Sequence, residues 1–355
     1  MNYIKDSILK LEPYSVPGRP AAIKLNQNES PFDWPPSVKV KILKKLEETG
    51  WNRYPREENP ELLTRLADYA GHSPEGILLG NGSNELIQTT ICSFASKENR
   101  ILTVRPGFSI YKRVATILDI ETIEINLKPD FSFDLQEVIE QAPAASLIFL
   151  TSPNNPTGSI ISLEDIDYLL QKVDCPVVLD EAYFEFSGIT GQPLLKSYEN
   201  LIILRTFSKA FGLAGARLGY ILGAPSVVNQ MKKARLPFSV GLFQQTAAEI
   251  LLAEKELVTD QAEKIKAERK RIYEQLLSFK TFKALPSSAN FFLLESSVLN
   301  AREIFNKLLE RDVLVRWFDL PELQNKVRVT VGSPAENDFL INKLRDIEKE
   351  VTSCK

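Results

Sequence analysis

The chain has 355 residues, enough for roughly two or three domains. Its 43 Lys and Arg residues nearly balance its 46 Asp and Glu residues, and the net charge of −3 excludes the basic footprint of a nucleic-acid-binding protein and the charge excess of a disordered chain. The single histidine, His72, excludes multi-histidine metal sites. Because it stands in Ala70-Gly71-His72-Ser73-Pro74, we expect it in a surface turn.

The cysteines and the apolar runs indicate the compartment. Cys92, Cys175 and Cys354 are far apart, odd in number and in no CxxC pair, which argues against a disulfide framework and a zinc site. The first twenty residues contain no signal-peptide core, and no apolar run approaches the roughly 18 residues that a membrane span needs. We therefore expect a cytoplasmic protein with no metal, no membrane association and no nucleic-acid partner.

In chain order, an extended arm over residues 1–36, rich in Pro and Asn, precedes an alternation of strands and helices. The short apolar runs predict buried strands at Ile77–Leu79, Arg100–Val104, Ser146–Leu150, Val177–Leu179, Leu201–Leu204 and Tyr220–Leu222. Helical patterns such as Glu85–Ala95 and Leu163–Lys172 fall between most of them. This alternation predicts an α/β domain over residues 37–243, with a mostly parallel central sheet and helices on both faces.

The pattern changes near residue 244. A long helical stretch, Gln244–Ser278, is rich in Glu, Lys, Ala and Leu. It is followed by a predicted helix at Arg302–Arg311 and by shorter predicted strands at Asn290–Leu294, Val313–Arg316 and Val327–Val331. These segments predict a smaller α+β domain over residues 244–355.

Two glycine- and proline-rich motifs follow predicted strands, at the edge where open α/β sheets bind ligands. Gly80-Asn81-Gly82-Ser83-Asn84 is explained by a plain strand-to-helix turn, but its backbone N–H groups at a helix start also suit a phosphate. Ser152-Pro153-Asn154-Asn155-Pro156-Thr157-Gly158 is also explained as a turn. Its two asparagines flanked by prolines favour an amide directed inward.

Two further motifs carry charge. Asp180-Glu181-Ala182-Tyr183 ends a buried strand, and it fits either a capping Asp with a structural Tyr or an Asp facing a cationic ligand nitrogen. The motif Thr206–Arg217 places Lys209 after a buried strand, where desolvation lowers the pKa of an amine and makes it a nucleophile toward carbonyls. Ser208 and Arg217 suit a phosphate. Together the four motifs match the requirements of a pyridoxal-phosphate site.

These motifs resemble those of the fold-type-I pyridoxal-phosphate aminotransferases, and among them the histidinol-phosphate aminotransferase family. The resemblance runs from Tyr14-Ser15-Val16-Pro17-Gly18 to Arg328-Val329-Thr330-Val331-Gly332. It implies that Lys209 forms the Schiff base with the cofactor and moves the proton between the substrate Cα and the cofactor C4′. It further implies that Asp180 keeps the pyridine nitrogen protonated.

The resemblance also implies the remaining cofactor contacts. Asn155 and Tyr183 would hydrogen-bond the phenolate oxygen of the cofactor, and Phe108 would stack on its ring. The phosphate-binding set would be Gly82, Ser83, Asn84, Thr206, Ser208 and Arg217. Tyr54, in Asn52-Arg53-Tyr54-Pro55, matches a tyrosine that reaches the phosphate of the neighbouring subunit's cofactor, which implies a homodimer with shared sites.

For the substrates, Arg328 matches an arginine that binds the carboxylate of glutamate, and Arg316 with Tyr14 matches groups that hold a substrate phosphate. Asn28 would line the pocket. The chain departs from the family pattern at Asn84, where an acidic residue is usual, and at Phe32-Asp33-Trp34, where Tyr-Gly is usual.

The reaction implied is exchange of an amino group between histidinol phosphate and 2-oxoglutarate, in histidine biosynthesis. An aromatic-amino-acid aminotransferase and a pyridoxal-phosphate decarboxylase acting on threonine phosphate remain open as alternatives. A non-catalytic protein that only binds the cofactor is disfavoured, because Lys209, Asp180, Asn155 and Tyr183 are all present.

Overall fold

The computed structural model describes residues 3–15 and 18–353, so Cys354 and the Val16-Pro17 part of the N-terminal motif lie outside the described residues. The α-helices of the described chain are α1 Asp6–Leu9, α2 Pro36–Glu47, α3 Pro60–Ala70, α4 Gly82–Phe94, α5 Ile110–Ile117, α6 Leu135–Gln141, α7 Leu163–Leu170, α8 Phe184–Ser187, α9 Pro225–Met231, α10 Leu242–Ala253, α11 Lys255–Leu276, α12 Ala301–Glu310 and α13 Pro334–Ser353. Its strands are β1 Ile23–Lys24, β2 Ile77–Gly80, β3 Arg100–Arg105, β4 Glu121–Asn126, β5 Leu147–Thr151, β6 Val177–Asp180, β7 Leu201–Thr206, β8 Gly219–Gly223, β9 Phe282–Ala284, β10 Phe291–Ser296, β11 Val313–Leu314 and β12 Lys326–Thr330.

A seven-stranded sheet with the order β2-β8-β7-β6-β5-β3-β4 forms the centre of the fold. Its neighbours from β7 to β4 are parallel, and β8 is antiparallel to both β7 and β2. The mostly parallel α/β sheet predicted from the sequence is therefore confirmed. All six predicted strands belong to it. The edge strand β4 was not predicted, because its sequence Glu-Thr-Ile-Glu-Ile-Asn is only partly buried and lacks a continuous apolar run.

The central strands are apolar throughout because the sheet separates two cores. Val178 and Leu204 pack into the core that α4, α5 and α9 cover, whereas Leu179 and Ile203 pack into the larger core on the opposite face. Successive side chains of a strand point to opposite faces, so a sheet buried on both faces requires apolar residues at every position. The carboxyl ends of β5, β6 and β7 consequently carry the first polar residues of these segments.

The C-terminal region begins with two helices rather than the single helix that the long pattern predicts. The helical conformation is interrupted at Glu254, which has φ −107° and ψ 28° and separates α10 from α11. Strands β9, β10 and β12 then form an antiparallel sheet, and α12 and α13 pack beside it. The division of the chain into residues 1–36, 37–243 and 244–355 stays a prediction.

The N-terminal arm docks on its own chain. Ile23 pairs with Val313 in a two-stranded parallel sheet, and Leu25, the next residue after β1, is 1% exposed. Asn28 donates its backbone N–H to the Thr330 hydroxyl at 2.9 Å, with a left-handed φ of 54°. This docking brings residues 26–28 to the carboxyl edge of the large sheet.

His72 lies in the turn that follows α3. Its ring Nε2 is 2.9 Å from the carbonyl oxygen of Gly223 on β8, and the residue is half-buried. The predicted turn is present, but its imidazole contacts strand β8 and is not free in solvent.

Candidate active site

A cavity of about 540 Å³ opens at the carboxyl edge of the large sheet, between the sheet, the arm and the segment 316–320. The predicted site residues that line it are Tyr14, Asn28, Ser83, Asn84, Phe108, Asn155, Asp180, Tyr183, Thr206, Ser208, Lys209, Arg217, Arg316 and Arg328. Parallel strands place their carboxyl ends on one edge, which explains why motifs distant in sequence meet here.

Asp180 is the last residue of β6 and is 2% exposed. Its Oδ2 accepts a hydrogen bond from the Tyr111 hydroxyl at 2.6 Å, and its Oδ1 accepts one from the backbone N–H of Ala182 at 3.1 Å. Burial raises the pKa of its carboxyl to about 6, although both hydrogen bonds oppose this. Within the described residues Asp180 has no salt bridge, so its carboxylate is left to accept a hydrogen bond from a cationic ligand nitrogen.

Lys209 follows β7 and lines the same cavity. Its Nζ donates a hydrogen bond to the carbonyl oxygen of Gln27 in the arm, at 2.8 Å. Burial, with smaller contributions from the positive charges of Arg328 and Arg217, lowers the pKa of the Lys209 amine to about 7. A large fraction of the amine is therefore neutral near pH 7, as nucleophilic attack requires.

Tyr183 and Asn155 line the cavity together with these two groups. The Tyr183 hydroxyl accepts hydrogen bonds from the side-chain amides of Asn28 at 3.0 Å and Asn155 at 3.4 Å. Burial raises the pKa of the phenol, so Tyr183 stays protonated. Because its oxygen already accepts two hydrogen bonds, its own proton is left to donate to an oxygen in the cavity.

The start of α4 and the loop after β7 form an anion-binding cradle. Gly82 has φ +75°, and a side chain there would bring a Cβ within 2.6 Å of the Arg217 guanidinium. Arg217 donates to the Ser208 hydroxyl at 3.1 Å, and the Ser208 backbone N–H donates to the Thr206 hydroxyl at 3.1 Å. Asn81, the residue before α4, makes no side-chain cap, so the first N–H groups of the helix are available to a phosphate.

Two arginines mark the other end of the cavity. Arg328 is 7% exposed; it donates to the side-chain oxygen of Asn155 and to the backbone carbonyl of Asn26, each at 2.6 Å. Burial lowers its pKa to about 10, and burial also lowers the pKa of Arg316. One buried nitrogen of each guanidinium, Nε of Arg328 and Nη1 of Arg316, has no hydrogen-bond partner among the described residues. These unpaired donors suit an anionic substrate group.

The sequence did not single out several residues of the site. Tyr111 is one, because its burial pattern with Val114 and Ala115 is that of an ordinary helix face. Gln27 is another, since it contributes a backbone carbonyl that no side-chain pattern reveals. The Phe318 ring lies 5.5 Å from the Arg316 guanidinium and 5.6 Å from that of Arg328, and it follows no motif.

Two predicted residues do not line the cavity. Gly82 lies beside the guanidinium of Arg217, which does line the cavity. Tyr54 lies elsewhere: it is 82% exposed, and its ring stacks on Phe238 with centroids 4.6 Å apart. Its contact with a second subunit stays a prediction.

The part of the chain that the structure describes offers neither a membrane-spanning helix nor a metal cluster. No helix there is long and apolar enough to cross a bilayer. No group of three or more His, Cys, Asp or Glu side chains in those residues is arranged to hold a metal ion.

The family model for aminotransferase class I and II matches residues 20–344. The chain belongs to this family. The aminotransferase is 40% identical over 347 residues to histidinol-phosphate aminotransferase 1 of Carboxydothermus hydrogenoformans, covering 97% of this chain and 98% of that one. It is 38% identical over 344 residues to the histidinol-phosphate aminotransferase of Thermococcus gammatolerans, covering 97% of each chain.

A solved structure agrees with this assignment. The histidinol-phosphate aminotransferase of Sinorhizobium meliloti in complex with pyridoxal-5′-phosphate superposes with a TM-score of 0.89, at 27% identity and over 99% of each chain. The resemblance, the fold-type-I architecture and the dependence on pyridoxal phosphate, all predicted from the sequence, are confirmed. The buried unpaired Asp180 and the cradle of Gly82, Ser208 and Arg217 fit that cofactor.

Proposed function

We propose that the aminotransferase exchanges an amino group between histidinol phosphate and 2-oxoglutarate, giving imidazole-acetol phosphate and glutamate. The observation that carries this proposal is the pair Arg316 and Arg328, whose guanidinium groups line the same cavity as Lys209. A phosphate of charge near −2 needs more than one cation when it is desolvated, whereas a single carboxylate is matched by one arginine. The two relatives named above are histidinol-phosphate aminotransferases, which supports the same substrate.

Lys209 is the proposed catalytic base and acid. When bound, the cofactor would supply an electron sink for the pair left when a proton leaves the substrate Cα. Lys209 Nζ would take up that proton from the substrate Cα and return it during the exchange. Its lowered pKa of about 7 suits both proton uptake and proton release near neutrality.

The other residues of the site would hold and orient the cofactor. Asp180 would pair with the ring nitrogen and keep it protonated, while Tyr183 and Asn155 would donate to the ring oxygen. Phe108 would pack on the ring. The phosphate would be held by Ser83, Asn84, Thr206, Ser208 and Arg217, next to Gly82.

At the substrate end, we propose that Arg328 binds the carboxylate of glutamate or the phosphate of histidinol phosphate in turn. Arg316 and Tyr14 add the contacts that the larger phosphate requires; Tyr14 is 59% exposed and lines the same cavity. Asn28 fixes Tyr183 by the 3.0 Å hydrogen bond and forms part of the pocket wall.

We further propose a homodimer in which Tyr54 reaches the cofactor phosphate of the second subunit. The exposed aromatic and aliphatic side chains of Trp51, Tyr54, Leu236 and Phe238 support an interface on that face, since Trp51, Tyr54 and Leu236 are each more than 70% exposed. We also propose a cytoplasmic location, because Cys92 and Cys175 are free thiols.

A half-reaction screen tests the substrate. The purified enzyme loaded with pyridoxal phosphate is mixed with histidinol phosphate, phenylalanine, tyrosine or threonine phosphate, and conversion of the bound cofactor to its amine form is followed by absorbance. We expect histidinol phosphate to react at least about tenfold faster, by kcat/KM, than either aromatic amino acid. A faster reaction with phenylalanine or tyrosine would favour an aromatic-amino-acid aminotransferase. Release of CO₂ from threonine phosphate without an acceptor would favour the decarboxylase.

A further inference from the structure

Tyr111 lies beneath Asp180 on the side away from the cavity. It is the second residue of α5, it is fully buried, and its hydroxyl oxygen is 2.6 Å from Asp180 Oδ2. The same hydroxyl is 2.8 Å from Thr151 Oγ1 at the end of β5. Thr151 and Asp180 are register partners on neighbouring strands, so both side chains stand on the face that α5 covers.

The direction of these hydrogen bonds follows from the number of protons. An ionised carboxylate only accepts, so the single phenolic proton of Tyr111 goes to Asp180. The Thr151 hydroxyl must then donate to the Tyr111 oxygen. The two bonds form a chain from Thr151 through Tyr111 to Asp180, in which each donation strengthens the next.

Aromatic packing holds the phenol in one position. The Tyr111 ring stacks on Phe149, with centroids 4.5 Å apart and planes at 16°, and it meets Phe108 edge-on at 5.5 Å and 83°. Phe108 is the residue proposed to pack on the cofactor ring. Tyr111 therefore touches both the group that contacts the cofactor face and the group that contacts its nitrogen.

We propose that Tyr111 is a positioning residue that keeps the Asp180 carboxylate ionised and directed at the cofactor's ring nitrogen, an inference that rests on the proposed role of Asp180. Burial favours the neutral acid, which could not pair with a protonated ring nitrogen. The phenol supplies a donor that stays neutral at every working pH, since burial and Asp180 both hold its pKa well above the ordinary value.

Glu181, the residue after Asp180, is the charged neighbour that contributes to its raised pKa. It is paired with Arg205 at 2.8 Å on the opposite face of the sheet. Among the described residues, Tyr111 donates a side-chain hydrogen bond to Asp180, and Thr151 bonds Tyr111 in turn.

The test compares Tyr111→Phe with Tyr273→Phe. Tyr273 offers a matched control, because its half-buried hydroxyl also donates one hydrogen bond, to the Leu285 carbonyl at 2.9 Å, and its ring also packs edge-on against a phenylalanine. The measurements are the dissociation constant of pyridoxal phosphate by equilibrium dialysis, the pH at which the absorption band of the bound cofactor changes, and kcat and KM.

We expect Tyr111→Phe to weaken cofactor binding about tenfold and to lower kcat about tenfold or more, with KM changed much less, as the loss of one charge-assisted hydrogen bond predicts. The pH of the spectral change should shift by roughly half a unit or more. Tyr273→Phe should leave the dissociation constant, kcat and KM within about twofold of the parent enzyme and the pH of the spectral change unaltered, because it removes a hydrogen bond away from the site.

Equal behaviour of the two variants would overturn the proposal. If Tyr111→Phe does not fold, Thr151→Val replaces it; that variant removes the donor to Tyr111 and should shift the same spectral change in the same direction by a smaller amount, and an unchanged spectrum would overturn the proposal. Asp180→Asn tests the role of Asp180 separately from the role of Tyr111. If Asp180→Asn leaves the spectrum and kcat unchanged, the role of Asp180 is wrong; if it alters them while Tyr111→Phe does not, only the role of Tyr111 is wrong.

Discussion

Arg316 and Arg328 face each other across an isolated antiparallel bridge, in which each backbone N–H donates to the other's carbonyl, at 3.0 and 2.7 Å. Twelve positions apart in sequence, the two side chains thereby emerge side by side at one end of the cavity. Burial, with a smaller contribution from the positive charge of Arg316, lowers the pKa of Arg328, so an anion bound between the two arginines would be stabilised.

We predict that Arg316→Gln raises KM for histidinol phosphate by about 10- to 100-fold, because one charge-assisted hydrogen bond to the phosphate is lost. KM for 2-oxoglutarate should change by less than about threefold. Arg328→Gln should raise KM for both substrates. Steady-state kinetics with each substrate varied in turn measure these values.

Arg311→Gln is the control for these two variants. Arg311 lies outside the cavity and pairs with Glu350 at 2.7 Å, so neither KM should change. An Arg316→Gln enzyme with unaltered KM for histidinol phosphate would contradict the phosphate role.

We predict that capture of pyridoxal phosphate by the cofactor-free protein accelerates from pH 6 to pH 8 and then levels off. The reacting form of Lys209 is the neutral amine, and burial brings its pKa to about 7. An ordinary surface lysine would show a rate that continues to rise toward pH 10. Stopped-flow absorbance measures the rate at each pH.

Lys209→Ala should show no covalent capture and no turnover while keeping its folded circular dichroism spectrum. Lys172→Ala changes a lysine near Tyr168, away from the cavity, and should behave as the parent enzyme. A capture rate that rises without levelling off up to pH 10 would mean that Lys209 is not the desolvated amine that the structure describes.

Asp180→Asn should stabilise the cofactor-free protein at neutral pH. The folded state holds the Asp180 proton up to about pH 6, whereas the ordinary pKa is 3.8. Between these values the folded state binds more protons than the unfolded state, so the free energy of unfolding falls as pH rises and the loss is complete above pH 6. The difference between Asp180→Asn and the parent protein should therefore grow by about 2–3 kcal/mol from pH 4 to pH 7.

Urea unfolding of both proteins at several pH values measures this difference, and other titrating groups cancel in the comparison. With the cofactor bound, the ring nitrogen pairs with Asp180 and the pH dependence of the difference should shrink. A difference that is the same at pH 4 and pH 7 would show that the pKa of Asp180 is not raised in the cofactor-free protein.

Hybrid dimers test whether Tyr54 serves the second subunit. Tyr54→Ala and Lys209→Ala should each lower activity severely, by about tenfold and completely, respectively. A mixed dimer of the two contains one site with neither lesion, so an equal mixture should regain about a quarter of the parent activity. Activity is measured after the two proteins are mixed, unfolded and refolded together.

The control mixture is Asp180→Asn with Lys209→Ala. Both of those lesions lie in the cavity of their own chain, so every site of the mixed dimer carries one and no activity should return. If the Tyr54→Ala mixture also fails to regain activity, the shared-site dimer is wrong.

Much of the fold was predictable because local sequence and tertiary role agree. Segments such as Val177–Leu179 and Leu201–Leu204 are apolar at every position, and burial on both faces of a sheet is the structure that such runs satisfy. The exceptions have physical reasons. The partly exposed edge strand β4 lacks that signature, and the break at Glu254 occurs within a sequence that is helical on both sides.

By itself, the sequence determined the cofactor chemistry of this protein. Lys209, Asp180, Asn155 and Tyr183 lie in motifs at strand ends, and parallel strands carry such residues to one edge whatever the rest of the chain does. Only the tertiary structure decided that Tyr14 and Arg316, some 300 residues apart in the chain, share the cavity, and that Tyr111 bonds Asp180. Such contacts depend on how the arm and the separate sheets pack, which no local pattern records.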